Sequence, residues 1–403
     1  MVLPLRRGQR AENPAAARSG STAGQEEVRR HNLGALLRHV HVHGPTSRAE
    51  LTTRLGLNRS TIGALAADLT AAGLVTEERA TGARRAGRPS LVVSPRSGAV
   101  HANALSVEPD RVRAARVGLG GEILGLRETV RPRGSSLLDT VPLLAAMVRS
   151  LAPGEESRCA GGAVAVSDTT RAGDGSLGIA GLDDTLTAAL DAELGGPGYV
   201  AGDLADIAAL AEHTRGVAAG VDDLLYLHGD LGVSAGIVTG GRLVIGHSGH
   251  SGKVGHMVVN PDGRRCGCGS RGCWETEIGP EALLRHAGLV PAPEVGALTV
   301  VRAAALGDQR AAHALERVGD WLGFGVANLV NVFNPDLVVF GGTLSEVYEA
   351  ASHAVRRRLN SMALPASRLH LQLRAATLGR DAPLVGAAEL ALDPLLSDPL
   401  GSA

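Results

Sequence analysis

Aromatic side chains are scarce: two Trp, three Tyr and three Phe make up 2% of the 403 residues. The interior must therefore be packed from Ala, Val and Leu, and a platform of rings for stacking nucleic-acid bases is excluded. Lysine is almost missing as well. Lys253 is the only one among 40 basic residues, a bias that reflects genome composition rather than a physical demand. Long apolar runs are lacking too. The most apolar stretch, Trp321 to Gly342, is broken by Asn328, Asn331, Asn334, Pro335 and Asp336, which excludes a bilayer-spanning helix. Arg6 and Arg7 are not followed by an apolar segment or a small-residue cleavage site, so no secretory signal is expected and the chain is expected to be cytoplasmic. Only four cysteines are present, and three of them fall between positions 266 and 273.

A formal charge of −1 conceals unequal parts. Residues 1–98 hold fifteen Arg against seven acids, a net +8, and the remainder carries −9. The front of the chain is thus suited to a polyanion. Residues 1–30 mix Pro, Ala, Gly, Ser and Arg without apolar periodicity and read as a flexible basic arm. Over 31–96 the pattern is that of a winged helix-turn-helix. Leu33, Leu36, Leu37 and Val40 define one amphipathic helix ending near Gly44 and Pro45. Ser47 to Glu50 form a capping box opening a second helix, with Leu51 and Leu55 on its buried side. After the Gly56 turn, Asn58 caps a third helix to about Ala72, with Ile62, Leu65, Ala66 and Leu69 on one stripe. Such a helix enters the DNA major groove through its first residues, and Arg59 suits guanine while Ser60 and Thr61 suit phosphates or bases. Strands at Leu74–Thr76 and Leu91–Val93 flank a basic wing carrying Arg84, Arg85 and Arg88. The DNA-contact set is therefore Ser47, Asn58, Arg59, Ser60, Thr61, Arg84, Arg85 and Arg88. A plain helical bundle with a solvated basic loop is the alternative.

Between Gly255 and Glu275 lie His256, Cys266, Cys268 and Cys273, separated by glycine turns. Three thiolates and an imidazole are the donor set of a closed tetrahedral structural zinc site with no position left for water. Disulfides are the alternative, less suited to a reducing compartment in which only Cys159 lies outside the cluster.

The same segment, a Gly-His pair followed by Cys-x-Cys-Gly-x-x-Gly-Cys and a glutamate, resembles the signature of the ROK family of repressors, open reading frames and kinases. The resemblance extends over about residues 30–395. It includes Gly87-Arg88-Pro89 of the wing, Asn331 to Gly342 and Ala382 to Ala388. It implies an α/β fold in which the winged helix-turn-helix precedes a two-lobed, actin-like (ribonuclease H-like) body over 97–403, with its zinc loop at 255–275 and a ligand cleft between the lobes. Members assemble as dimers or tetramers. Kinases of the family phosphorylate a sugar with ATP, and its regulators commonly change DNA affinity on binding a sugar or sugar phosphate.

Several family positions are altered here. Leu105-Ser-Val-Glu-Pro-Asp110 replaces the first phosphate-binding turn, and Ser234 and Ala235 stand where the second has glycines. Asp203-Leu204-Ala205-Asp206 aligns with the family's Asn-Asp-x-Asn, which puts Leu204 at the catalytic aspartate. Leucine cannot accept a proton, so no catalytic residue is expected. Asp203 and Asp206 are candidate ligand contacts or, alternatively, the cap and first-turn acid of a helix. By resemblance His256 and Glu275 face the sugar, and Lys253 replaces a family glutamate, which would suit an anionic ligand such as a phosphorylated or acidic sugar. The expected protein is a DNA-binding regulator, more plausibly a repressor, acting as a homo-oligomer on a palindromic operator, with structural zinc and a sugar or sugar-phosphate effector. An atypical ATP-dependent sugar kinase with a regulatory head is the alternative.

Overall fold

The computed structural model describes residues 20–401 except 80–89, 133–134, 152–156, 168–181, 197, 248 and 293–294. Its front end consists of α1 (Gly20–His43), β1 (Thr46–Ser47), α2 (Arg48–Leu55), α3 (Arg59–Ala71), β2 (Val75–Arg79) and β3 (Leu91–Pro95), with the strands ordered β1-β3-β2. The four apolar residues that mark α1 are all buried, as are Leu51 of α2 and Ile62, Leu65, Ala66 and Leu69 of α3. Gly56 closes α2 at φ 67°, a left-handed conformation that costs glycine nothing. This is a winged helix-turn-helix.

Two expectations need adjustment. Helix α1 starts at Gly20, so 20–30, read from the sequence as part of the arm, is helical; residues 1–19 and Arg84, Arg85 and Arg88 lie outside the described residues. The early turns of α1 escaped notice because ion pairs and not an apolar stripe hold them: Arg29 meets Asp68 at 2.8 Å and Arg30 meets Asp398 at 3.7 Å. The head is also not a separate globule. Its apolar residues form one continuous cluster with Ala102, Ala104, Leu384, Ala388, Leu392 and Leu396 of the body.

The first body lobe comprises β4 (Val100–Val107), β5 (Arg111–Gly118), β6 (Ile123–Val130), α4 (Val141–Ser150), β7 (Arg158–Val166), α5 (Leu182–Leu194) and β8 (Tyr199–Asp203), with sheet order β6-β5-β4-β7-β8. Helix α6 (Leu204–Arg215) leads to the second lobe. That lobe holds β9 (Leu224–Gly229), β10 (Val233–Thr239), β11 (Arg242–Leu243), α7 (Glu275–Ile278), α8 (Pro280–His286), α9 (Ala297–Ala305), α10 (Gln309–Phe333), β12 (Leu337–Gly342), α11 (Thr343–Met362), α12 (Pro365–Arg368), β13 (Gln372–Ala375) and α13 (Ala382–Ser397). Its sheet order is β11-β10-β9-β12-β13. Each sheet is an antiparallel three-strand meander whose first strand continues into two parallel strands. The two lobes are therefore copies of one topology, the duplicated actin-like arrangement.

Helices α6 and α13 lie between the sheets. Leu204 and Ile207 of α6 join the first lobe's cluster, whereas Ala208, Ala209 and Ala211 pack on Leu224 and Tyr226 of the second. The pair approaches closely because a Cβ at Gly386 would lie 1.9 Å from the Ile207 carbonyl oxygen. At its far end α13 packs on α1 of the head. No described helix is long and apolar enough to cross a membrane.

Candidate functional site: a carboxylate-lined cleft, a thiolate cluster and an exposed recognition helix

The head presents the start of α3 to solvent. Asn58 caps it, its Oδ1 accepting from the Thr61 amide at 2.8 Å and from the Ser60 hydroxyl at 2.7 Å. Arg59 and Ser60 are exposed at the helix tip and Thr61 is half-buried. Ser47 accepts from the Glu50 amide at 3.1 Å, which is one half of the expected capping box. The Glu50 carboxylate instead lies 3.7 Å from Arg54.

Metal-binding chemistry gathers between β11 and α7. The ligand atoms of His256, Cys266, Cys268 and Cys273 all lie within 4.8 Å of one another. Sγ of Cys268 and Sγ of Cys273 are 3.6 Å apart, as are Sγ of Cys266 and Nδ1 of His256. Donors at these separations can converge on one ion at the roughly 2.0–2.3 Å bond lengths of nitrogen and sulfur ligands. Gly272 permits the fold of this loop: at φ 70° its Cβ would fall 1.6 Å from the Asn260 carbonyl oxygen. The fully buried Trp274 then anchors the loop by donating Nε1–H to the Trp321 carbonyl of α10 at 2.8 Å.

Beside this loop the lobes enclose two adjoining cavities of about 120 and 250 Å³, which share Glu108, His228 and Asp230. Ser167, Leu204, Ser234, His256, Cys268 and Glu275 line the smaller one, and Arg111, Arg113, Thr343 and Arg380 line the larger. Of the ligand contacts expected from the sequence, His256 and Glu275 face the smaller cavity. Asp203, Asp206 and Lys253 line neither. Asp203 caps α6 by accepting from the Ala205 amide at 2.9 Å and holds Lys253 Nζ at 2.8 Å. The lysine charge expected to receive an anion is thus balanced inside the protein. Leu204, which the sequence reading aligns with the family's catalytic aspartate, is 1% exposed at the cavity wall.

Sequence reasoning missed the other polar residues of the cleft. Glu108 stands at the β4–β5 turn, accepts from the Ser106 hydroxyl at 2.7 Å and lies 3.1 Å from Arg111. Asp230 stands at the equivalent β9–β10 turn. Its Oδ1 accepts from the amide and hydroxyl of Thr343, at 3.1 and 2.6 Å, and its Oδ2 lies 3.1 Å from His228 Nε2. A carboxylate thereby occupies the electropositive N-terminus of α11, a place that would otherwise attract a phosphate. Burial pulls the Asp230 carboxyl up, but the His228 and Thr343 interactions prevail and hold it well below the usual carboxylate range. Burial lowers the His228 imidazole, and the bond and charge of Asp230, with Glu108 and Asp203 beyond it, reverse that into a net rise. Glu108 itself is raised by burial, against the pull of Ser106 and Arg111. The signal that could have exposed these residues is the symmetry of the lobes, since Glu108 and Asp230 are equivalent turn residues in two copies of one hairpin.

A second buried polar group joins the cleft to the head. Arg215, at the end of α6, pairs with Glu389 of α13 and donates to the Gly120 carbonyl at 2.9 Å. Glu389 in turn lies 3.1 Å from Nε2 of His41, a fully buried residue of α1. The Gly120 amide donates to His41 Nδ1 at 2.9 Å. That ring therefore accepts at Nδ1 and donates from Nε2, a tautomer assigned from its partners. One helix thus runs from the cleft, at Leu204, to the joint between head and body.

An actin-like pair of lobes with a thiolate-rich loop, carried behind a winged helix-turn-helix, defines a class in which sugar-kinase architecture is joined to DNA recognition. The chain belongs to the ROK family, whose model matches residues 177–394, and residues 34–86 match the MarR family of DNA-binding domains. It is 25% identical over 397 residues to the xylose repressor of Bacillus subtilis (strain 168), covering 93% of this chain and 98% of the repressor. Its fold is that of a ROK family transcriptional regulator, a homologue of the E. coli MLC protein, with a TM-score of 0.70, 23% identity and coverage of 93% of this chain and 98% of that one. A ROK family glucokinase from Streptomyces griseus in complex with glucose and AMPPNP matches with a TM-score of 0.61 and 26% identity, over 72% of this chain and 98% of the kinase.

Proposed function

We propose that this protein is a sugar-responsive transcriptional repressor that binds a palindromic operator as a homodimer or homotetramer, holds a structural zinc ion, and has no kinase activity. The observation that carries it is the pairing of an exposed helix tip at Arg59 and Ser60 with a cleft walled by the buried Leu204, a side chain that cannot take a proton and that the sequence reading aligns with the family's catalytic aspartate. Arg59 reads a base edge, Asn58, Ser60 and Thr61 shape the helix tip and its phosphate contacts, and Ser47 fixes the preceding helix. Arg84, Arg85 and Arg88 of the wing grip the backbone or an adjacent minor groove.

His256, Cys266, Cys268 and Cys273 hold the zinc, which supplies folding free energy to the loop bearing Glu275. Ligand in the cleft engages His256 and Glu275 and displaces the cleft end of α6, where Asp203 holds Lys253 and Asp206 follows one residue after Ala205. The helix is twelve residues long and ends at Arg215, so its movement as a unit reaches Glu389 and His41 and changes the angle of the head. Ligand and DNA are coupled to the extent that they prefer different positions of this joint.

Selection of bound duplexes from a random pool, repeated with sugars present, tests the proposal. Enrichment of a two-fold symmetric sequence that is released by a sugar supports it. ATP-dependent phosphorylation of a sugar in the absence of any duplex preference would establish the kinase instead.

A further inference from the structure

Two charged residues of the head belong to no site described above, and they join three of its elements. Arg48 opens α2 directly after the Ser47 cap, and Glu77 stands in β2. The guanidinium meets the carboxylate in a fork, Nε donating to Oε1 at 2.5 Å and Nη2 to Oε2. Two parallel bonds to a planar partner fix orientation as well as charge. The side chains are 30% and 14% exposed, so the pair is more sheltered than a solvated surface pair and its geometry is better held.

The fork lies across both the recognition helix and the wing sheet. A Cβ at Gly63 would come 3.2 Å from Nη1 of Arg48, so the guanidinium rests against α3 where a glycine leaves it room. Gly63 follows Arg59 by four positions and shares its side of the helix. Thr46 of β1 and Glu77 of β2 both pair with Val93 of β3, one on each side. Arg48, two residues after Thr46, therefore reaches over β3 to the far strand of the sheet. One ion pair ties together the start of α2, the first half of α3 and β2. An acid at this place disfavours a duplex, because it repels phosphates. Glu78, the next residue of β2, carries the same charge, alternates to the opposite face, is exposed and takes no part in the fork.

We propose that Arg48 and Glu77 are positioning residues for operator recognition: their fork holds α3 at the angle to α2 and to the wing sheet at which Arg59 reads a base, so that Glu77 strengthens specific DNA binding although its charge opposes it. This rests on the repressor reading and specifies what sets the pose of its recognition helix.

Fluorescence anisotropy on the full-length, zinc-loaded protein tests this by sign, with the selected operator compared against a duplex of the same bases in shuffled order. All variants are measured well below their own thermal transitions, so that folded heads are compared. Removing an acid near phosphates tightens binding by electrostatics alone, and Glu78→Ala should do so on both duplexes. Glu77→Ala should instead weaken operator binding, with the preference for operator over shuffled duplex falling about tenfold. Arg48→Ala should lower that preference to the same extent, and the double variant should lower it no further, because each change removes one shared interaction. Tighter operator binding by Glu77→Ala would mean that the acid merely withholds Arg48 from phosphate, and would overturn the proposal. Losses of preference that add in the double variant, or a Glu77→Ala loss equal on both duplexes, would overturn it as well. In each of those cases the unmodified protein still prefers its operator and the repressor reading stands, whereas unmodified protein without any duplex preference removes that reading itself.

Discussion

The two lobes of the body share one strand order and yet have been put to different uses. The first lobe spends its interior face on attachment: Ala102, Ala104, Ala163 and Ala165 pack in one cluster with the head and α13. The second lobe holds the thiolate loop and buries Trp274 against long helices that never reach the head. At the hairpin turns, however, both lobes carry an acid, Glu108 in one and Asp230 in the other. The turns read from the sequence as the family's phosphate-binding turns are acidic on both sides, which fits the proposed lack of kinase activity, and the outer faces differ as the proposal's anchor and sensor would. What both lobes share are α6 and α13, packed between them.

Breaking the sensor lobe should have the largest effect. Cys268→Ser removes one of four converging donors, and structural zinc contributes about 10 kcal/mol of apparent binding free energy in small zinc domains. Elemental analysis should show loss of stoichiometric zinc, and proteolysis should begin near the loop. Next comes the anchor. Glu389→Ala leaves Arg215 and His41 buried without their carboxylate, and removing one partner of a buried pair costs about 3–5 kcal/mol. Thermal unfolding should report this loss, and the sugar response of DNA binding should fall further than the affinity for sugar.

Arg59→Ala lies outside both lobes and should cost about 1–3 kcal/mol of discrimination at one operator base pair, measured by competition among sequence variants, with little change in fold stability. The smallest effect concerns pH. The Glu389 carboxyl is raised by burial, but the hydrogen bond from His41 and the ion pair with Arg215 bring it below the usual value of about 4.5. Its contribution is therefore complete above that value and is lost as pH falls through the lower, folded-state one. Acid titration through that lower value should loosen the head, read by thermal unfolding across pH, and Glu389→Gln should remove this pH dependence.

Much of this was legible in the residues alone. Leu33, Leu36, Leu37 and Val40, the Asn58 cap and the His256/Cys266/Cys268/Cys273 spacing each carry their structure in local chemistry, because helix periodicity, capping and metal ligation act over short stretches. Lys253 was misleading. Its charge reversal pointed to an anion, but the partner that neutralises it, Asp203, lies fifty residues away in sequence. The joint was invisible for the same reason, since His41 and Glu389 are separated by 348 positions and no pattern along the chain announces their meeting. Asp230 gains its partners only when the fold brings Thr343 and His228 to it. Long-range polar pairing, unlike apolar periodicity, leaves no local trace.

The most direct measurement follows full-length protein on its selected operator by fluorescence anisotropy, with an uncharged sugar added and ATP turnover monitored in the same sample. A sugar-responsive repressor should hold the duplex, release it as the sugar saturates, and consume no ATP. Steady formation of a sugar phosphate by protein that never binds the duplex would contradict it.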